Sequence, residues 1–205
     1  MWALIEDGSI TKIINKPKGM VIGDVRHSRK IFELWSKSEL EAIGIYEVVF
    51  NNTKKKDEEY YTNTNQTFTY DADAGTVTAT YGDATAKAHA DANATDDDGN
   101  DLDPVIVIEG LKTIKIRNIK VQAASELAKT DWYIVRKADA DTAVPSAITN
   151  HRAAVRTKCA SMETAITNAS NTAAIETLYT YVNTADEGDP VVIERPLGEL
   201  PTLES

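Results

Sequence analysis

The stretch from Gly82 to Asp103 limits the possible folds more than any other feature of the chain. It is built mainly of Ala, Asp, Asn and Thr, with a single histidine, His89. Such a segment cannot by itself bury enough apolar surface to offset the entropy lost on ordering. The 205 residues are therefore expected to divide around it. Residues 1–82 read as a β-rich attachment domain and 83–104 as an Ala/Asp-rich linker. Residues 105–187 read as a helical domain and 188–205 as an extended C-terminal tail. The expected fold class is α+β: an N-terminal β-rich part with a short helix, then a small C-terminal helical bundle.

The β-rich reading starts at Asp7-Gly8, which sits between the apolar runs Trp2–Glu6 and Ser9–Ile14. Asp-Gly accepts positive φ at both positions and favours a two-residue hairpin. Ser36-Lys37-Ser38-Glu39 is a capping box ahead of Leu40 and Ile43, and Gly44 suits the left-handed stop. Ile45–Phe50 alternates as a strand. Glu59–Thr62, Gln66–Asp71 and Thr76–Tyr81 are rich in Thr, Tyr and Val, with a turn at Ala74-Gly75. Their few large apolar residues suggest a solvent-exposed ribbon.

Beyond the linker the period changes. Leu111, Ile114, Asn118, Val121 and Ser125 fall on one side of a helix, and Ile116, Ile119, Ala123 and Leu127 on another. A helix apolar on two sides is buried between neighbours or pairs with another chain. From Pro145, the residues Ile148, Val155, Cys159, Met162 and Ile166 recur at helical spacing. A third helix is expected over Thr172–Val182, and three helices with short links suggest a small bundle. Pro190, Pro196 and Pro201 mark an extended arm that docks or stays mobile.

Charge and composition narrow the partners. The formal net charge of −10 repels phosphates and anionic lipid, so neither nucleic acid nor membrane is an expected partner. The basic run Lys112, Lys115, Arg117, Lys120 reads as a solvated face or a salt-bridge rim. The one cysteine excludes an internal disulfide and a cysteine-rich zinc site. The first residues lack the basic start of a signal peptide, and the longest uncharged apolar run, Val105–Ile108, is far short of a membrane span. Synthesis in a cytoplasm is the expectation.

No residue set converges on catalysis. There is no nucleophile elbow and no Gly-rich phosphate loop. His27, His89 and His151 are far apart, and none has metal-ligand spacing. The acidic run Asp96–Asp103 suggests calcium, yet setting Gly99 at the sixth position of an EF-hand loop puts Ala94 first and Val105 twelfth, where a carboxylate is needed. A solvated polar loop is the simpler reading. No catalytic residue, no metal ligand and no cofactor is expected, and the chain reads as a non-enzyme.

Leu127-Ala128-Lys129-Thr130-Asp131-Trp132-Tyr133, then Val144-Pro145, then His151-Arg152-Ala153-Ala154-Val155-Arg156, resembles a pattern of tailed-phage tail assembly chaperone domains. That pattern is Thr-Asp-Trp, Pro and Tyr-Arg-x-x-Leu-Arg, and it also occurs near the C-termini of many phage tail-fibre and fibre-assembly proteins. The stretch around Trp35 and Ile43–Val48 resembles segments that accompany it in phage proteins, notably those of marine phages. The chain departs from the pattern at His151, where Tyr is usual, and at Val155, where Leu is usual. In physical terms, Asp131 can cap a turn, Trp132 can wedge into the bundle, and Arg152 and Arg156 lie one turn apart.

The resemblance implies a structural component of a phage tail, located in the virion tail: a fibre, a fibre adaptor or a baseplate-associated protein. It would bind other phage tail proteins and form a homo-oligomer. The alternative is a tail or tail-fibre assembly chaperone absent from the mature virion, and a third class is an enzyme or lectin-like receptor binder. The candidate interface comprises Leu111, Ile114, Ile116, Ile119, Val121, Leu127, Trp132, Arg152 and Arg156.

Overall fold

The computed structural model describes residues 1–203. The fold is α+β, with strands gathered in the N-terminal part and the long helices in the C-terminal part. The chain forms two compact units, residues 1–85 and 86–205.

The first unit opens with β1 (Trp2–Glu6) and β2 (Ser9–Ile14), then the short pair β3 (Met20–Ile22) and β4 (Val25–His27). Two short helices follow, α1 (Ile31–Leu34) and α2 (Lys37–Glu41), then β5 (Ile45–Asn51), β6 (Tyr61–Thr62), β7 (Gln66–Asp71) and β8 (Thr76–Tyr81). Asp7 and Gly8 both take positive φ (50° and 75°), which is the twist a two-residue hairpin needs. The capping box forms at α2: the Glu39 amide donates to the Ser36 hydroxyl at 3.4 Å, and the Ser36 amide donates to the Glu39 carboxylate at 2.7 Å.

Five strands make one sheet in the order β2-β1-β5-β8-β7, with β5 and β8 parallel and the other neighbours antiparallel. The edge strands β2 and β7 approach each other, so the sheet curls. Its two faces carry separate cores. Leu4, Ile14, Met20, Ile31, Leu40 and Ile45 pack on one face, under α1, α2 and the β3–β4 pair. Ala3, Val48, Val77 and Ala79 fill the other, with Ile10, Ile13, Phe68 and Tyr70 around them.

An irregularity between Leu4 and Ile5 makes this arrangement possible. Leu4 opposes Lys12 while Ile5 opposes Ile10, so Thr11 is an extra residue in β2. Ile10 and Ile13 are an odd number of positions apart and would otherwise face opposite sides. The bulge turns both toward the same core. The Thr11 hydroxyl donates to the Glu6 carboxylate at 2.7 Å.

The expected solvent-exposed ribbon is corrected here. β8 lies inside the sheet between β5 and β7, and Val77 and Ala79 are fully buried. Small side chains suit the inside of a curled sheet, so a shortage of large residues did not mean exposure.

The second unit begins with segments read as a linker. β9 (Thr85–Ala86) straddles the division, and β10 (Ala92–Asn93) pairs with β11 (Val107–Ile108). The segment is tied to the helices. The Asp91 carboxylate accepts from the Gly110 amide at 2.7 Å and the Thr113 hydroxyl at 2.9 Å, and the Leu111 amide donates to the Ala88 carbonyl at 3.0 Å.

Then come α3 (Leu111–Ala128), α4 (Asp131–Ala140), α5 (Ser146–Asn168) and α6 (Thr172–Tyr179), followed by β12 (Val182–Asn183) and β13 (Ile193–Glu194). α4 was not anticipated as a separate helix. α3 and α5 pack along each other, with Ile119, Ala123, Val155, Cys159, Met162, Ile166 and Leu197 as the core. Leu197 belongs to the tail, whose arm docks on this unit: its amide donates to the Leu178 carbonyl at 3.0 Å.

The tightest backbone approach in the sheet predicts a large effect. Gly44 has φ +82°, and an added Cβ would sit 2.5 Å from the Ile5 carbonyl oxygen. Gly75 has φ +59° with open space around it. Gly44→Ala should lower stability by about 2–3 kcal/mol and Gly75→Ala by about 1 kcal/mol, as urea unfolding midpoints.

Candidate functional site

The corner between α3 and α4 brings the motif residues together. Arg152, from the second turn of α5, is buried. Its Nη1 lies 2.7 Å from the Leu127 carbonyl, 2.7 Å from the Thr130 hydroxyl and 2.7 Å from the Asp131 carboxylate. Thr130 is fully buried, and its hydroxyl donates on to the Leu127 carbonyl at 2.9 Å. The last carbonyls of a helix lack partners within it and carry partial negative charge, so a guanidinium there satisfies them and suits the dipole. Arg152 thus clasps the end of α3 and the start of α4. This places it in the interior rather than on a docking surface.

Trp132 comes out differently from its expected role as a wedge. It is 54% exposed, and no residue of α4 is buried. Its ring lies 4.4 Å from that of Tyr133, and the Arg136 guanidinium stands 4.5 Å above it, one helical turn on. Ile134 and Val135 are also exposed, at 43% and 65%. The reason is geometric. The clasp already closes the corner with polar groups, and α5 packs on α3, so α4 is left as an outer helix with an apolar surface.

The other candidates divide. Leu111 and Ile119 are buried, and Ile116 and Leu127 pack against the α3–α5 core. Ile114 is half-buried. Val121 is open, at 64%. The second stripe of α3 is therefore largely covered within its own unit. What remains is a shallow groove of about 420 Å³ lined by Thr113, Ile116, Arg117, Lys120, Val121 and Ala124. Its cations are paired: Arg117 with Glu109 at 2.7 Å and Lys120 with Glu163 at 3.1 Å. Arg156 is exposed, and its Nη1 donates to the Arg152 carbonyl at 3.5 Å.

Two carboxylates of the Asp96–Asp103 run are engaged in hydrogen bonds within their own hairpin. Asp96 accepts from the Asp98 and Asn100 amides at 3.0 and 2.9 Å, and the Asn100 amide first, then its side chain, holds the Asp96 carboxyl below its ordinary range. Asp101 accepts from Asn93 at 2.7 Å. Among the described residues no group of three His, Cys, Asp or Glu side chains is placed to hold a metal ion, and no helix is long and apolar enough to cross a membrane. Burial pushes the Cys159 thiol up, with the bond to Glu163 adding to it.

Two outer features escaped the sequence reading. α4 was hidden because its apolar residues sit beside a Trp that looked like core. The paired hairpins at β10–β11 and β12–β13 were hidden by the low complexity around the first. No protein-family model, curated protein or solved structure matches the chain.

The corner predicts opposite outcomes for two motif residues. Arg152→Ala should cost about 2–3 kcal/mol in urea unfolding, because the Thr130 hydroxyl and Leu127 carbonyl lose a charged donor in a closed site. Trp132→Ala should cost less than about 1 kcal/mol, since the ring is half in water. Cys159 should react slowly with a neutral-pH thiol reagent in the folded protein and fast once the chain is unfolded in urea.

Proposed function

We propose that this chain is a non-catalytic structural component of a phage tail: a fibre, a fibre adaptor or a baseplate-associated protein that acts by binding other tail proteins. One observation carries the reading. α4 buries none of its residues, yet it holds Trp132, Ile134 and Val135 in water on a base fixed by the Arg152 clasp. Exposed aromatic and aliphatic side chains on a rigid element are the makings of a protein interface, with Trp and Arg the residue types that most often dominate binding. The same helix lies in the stretch that resembles the phage tail pattern, and the clasp gives its Thr, Asp and Arg a physical role.

The reading calls for neither cofactor nor metal, and it places the protein in the virion tail with copies of itself and with other tail components. Charge supports protein partners over phosphate-bearing ones, given the net −10.

Mass spectrometry of purified virions from a phage encoding the chain provides the test. Peptides of the chain should be present in stoichiometric amount. Their absence from virions, with recovery only from infected cells, would replace this reading with an assembly chaperone. Val135→Asp should keep the unfolding free energy within about 0.5 kcal/mol of the parent and reduce incorporation into particles.

A further inference from the structure

One hairpin occurs twice in the helical unit, once before α3 and once after α6. Aligned on Asp103-Pro104 and Asp189-Pro190, the second strands match residue for residue; the first strands match too, once the four extra residues of the first copy's turn are set aside. Asn93 and Asn183 stand in the first strand, and Asp96 and Asp186 open the turn. Gly99 and Gly188 follow with φ of 84° and 96°. Val105-Ile106-Val107 in the first matches Val191-Val192-Ile193 in the second. The pairing agrees as well. Asn93 opposes Val107 as Asn183 opposes Ile193, and Ala92 opposes Ile108 as Val182 opposes Glu194. The Ala94 amide donates to the Ile106 carbonyl at 2.7 Å, and the Thr184 amide to the Val192 carbonyl at 2.8 Å.

Both hairpins stand on the helices. The first is held by Asp91 at the start of α3, where a Cβ on Gly110 would overlap the Ala90 backbone. The second is held by Leu197 in the core and by the Tyr181 hydroxyl, which donates to Glu199 at 2.6 Å.

Neither apolar segment, the strand with the extended residues that lead into it, is covered. Val105, Ile106, Val107 and Ile108 are 58%, 54%, 54% and 57% exposed, and Val191, Val192 and Ile193 are 70%, 45% and 56% exposed. Neighbouring residues of a strand face opposite sides, so both faces of each strand are wet. A strand apolar on both faces fits a position inside a sheet, and a lone two-stranded hairpin is marginal in water. Each sheet has two strands, so the outer edges of β11 and β13 carry no further strand among the described residues.

We propose that these two hairpins are self-association edges. In the assembled protein, residues 105–108 and 191–193 pair antiparallel with the same segments of a second copy, forming sheets between chains. Three observations select a second copy as the occupant. The edge is duplicated with one register, so every copy brings a strand already matched to both edges. The seven exposed Val and Ile side chains offer, at about 80 Å² each, roughly 550 Å² per copy, a large part of the ≈800 Å² per partner in a standard interface. Charge also agrees. Residues 105–108 and 191–193 are uncharged, with Glu109 and Glu194 directly after them, while most of the acidic residues crowd into the turns, at Asp96–Asp98, Asp101 and Asp103 and at Asp186, Glu187 and Asp189. Antiparallel pairing sets those turns at opposite ends, beyond close repulsion. Pro104 and Pro190 stop the pairing short of the turns, because proline offers no amide to a ladder. This inference rests on the repeat and its exposure, not on where the protein acts.

Sedimentation velocity of the full chain from about 1 to about 100 μM tests it, beside the double variant Ile106→Lys/Val192→Lys. Both substituted residues are exposed, and edge lysines oppose strand addition. The parent should associate, and the double variant should do so at least about tenfold more weakly with unchanged helical circular dichroism. If the variant loses its helical signal, hydrogen exchange of the parent decides. Amides of both strands should gain protection as concentration rises. A parent that stays monomeric leaves the edges to a foreign strand and overturns the proposal. So does a folded double variant that associates like the parent, or protection that is independent of concentration.

Discussion

Burying the Arg152 guanidinium between α3 and α4 obliges the chain to supply acceptors there, and the corner is built from what it supplies. The Leu127 carbonyl, the Thr130 hydroxyl and the Asp131 carboxylate all converge on one guanidinium nitrogen. An unpaired buried charge would be far costlier than any single packing contact in this unit. The end of α3, the start of α4 and the phase of α5 are thereby set together. With α5 committed to α3, α4 has no neighbour left against which to bury its face.

The first unit follows a different logic. Its sheet is apolar on both sides and needs two covers, which it finds in α1, α2 and the β3–β4 pair on one face and in its own curvature on the other. The bulge at Thr11 lets Ile10 and Ile13 serve the same core. Capping at Ser36 and the close approach of Gly44 to Ile5 hold the helices at the right height. Each of these devices is local, and each serves a packing need that is not.

Across the helical unit the exposed apolar surface is unevenly placed. It concentrates on α4 and on the two hairpins, while the groove on α3 has its charges paired by Glu109 and Glu163. The apolar segments 105–108 and 191–193 lie at the two ends of the helix set, each beside an acidic turn.

Local chemistry was legible in the sequence wherever one residue type answers one backbone need. Asp7-Gly8 demanded a tight turn, Ser36 and Glu39 a helix start, and Pro145 with the Ile148–Ile166 spacing a long helix; all three elements are present. The α+β division followed from the same signals. Partnership was not legible, because it depends on which elements meet. Val77 and Ala79 are too small to announce a core, yet a curled sheet encloses them. Trp132 is large enough to announce one, yet the polar clasp beside it leaves the ring outside. Arg152 reads as a surface residue until the end of α3 arrives over it. Periodicity records which face of an element is apolar, but only the tertiary structure decides whether another element reaches that face, since burial is a property of the pair.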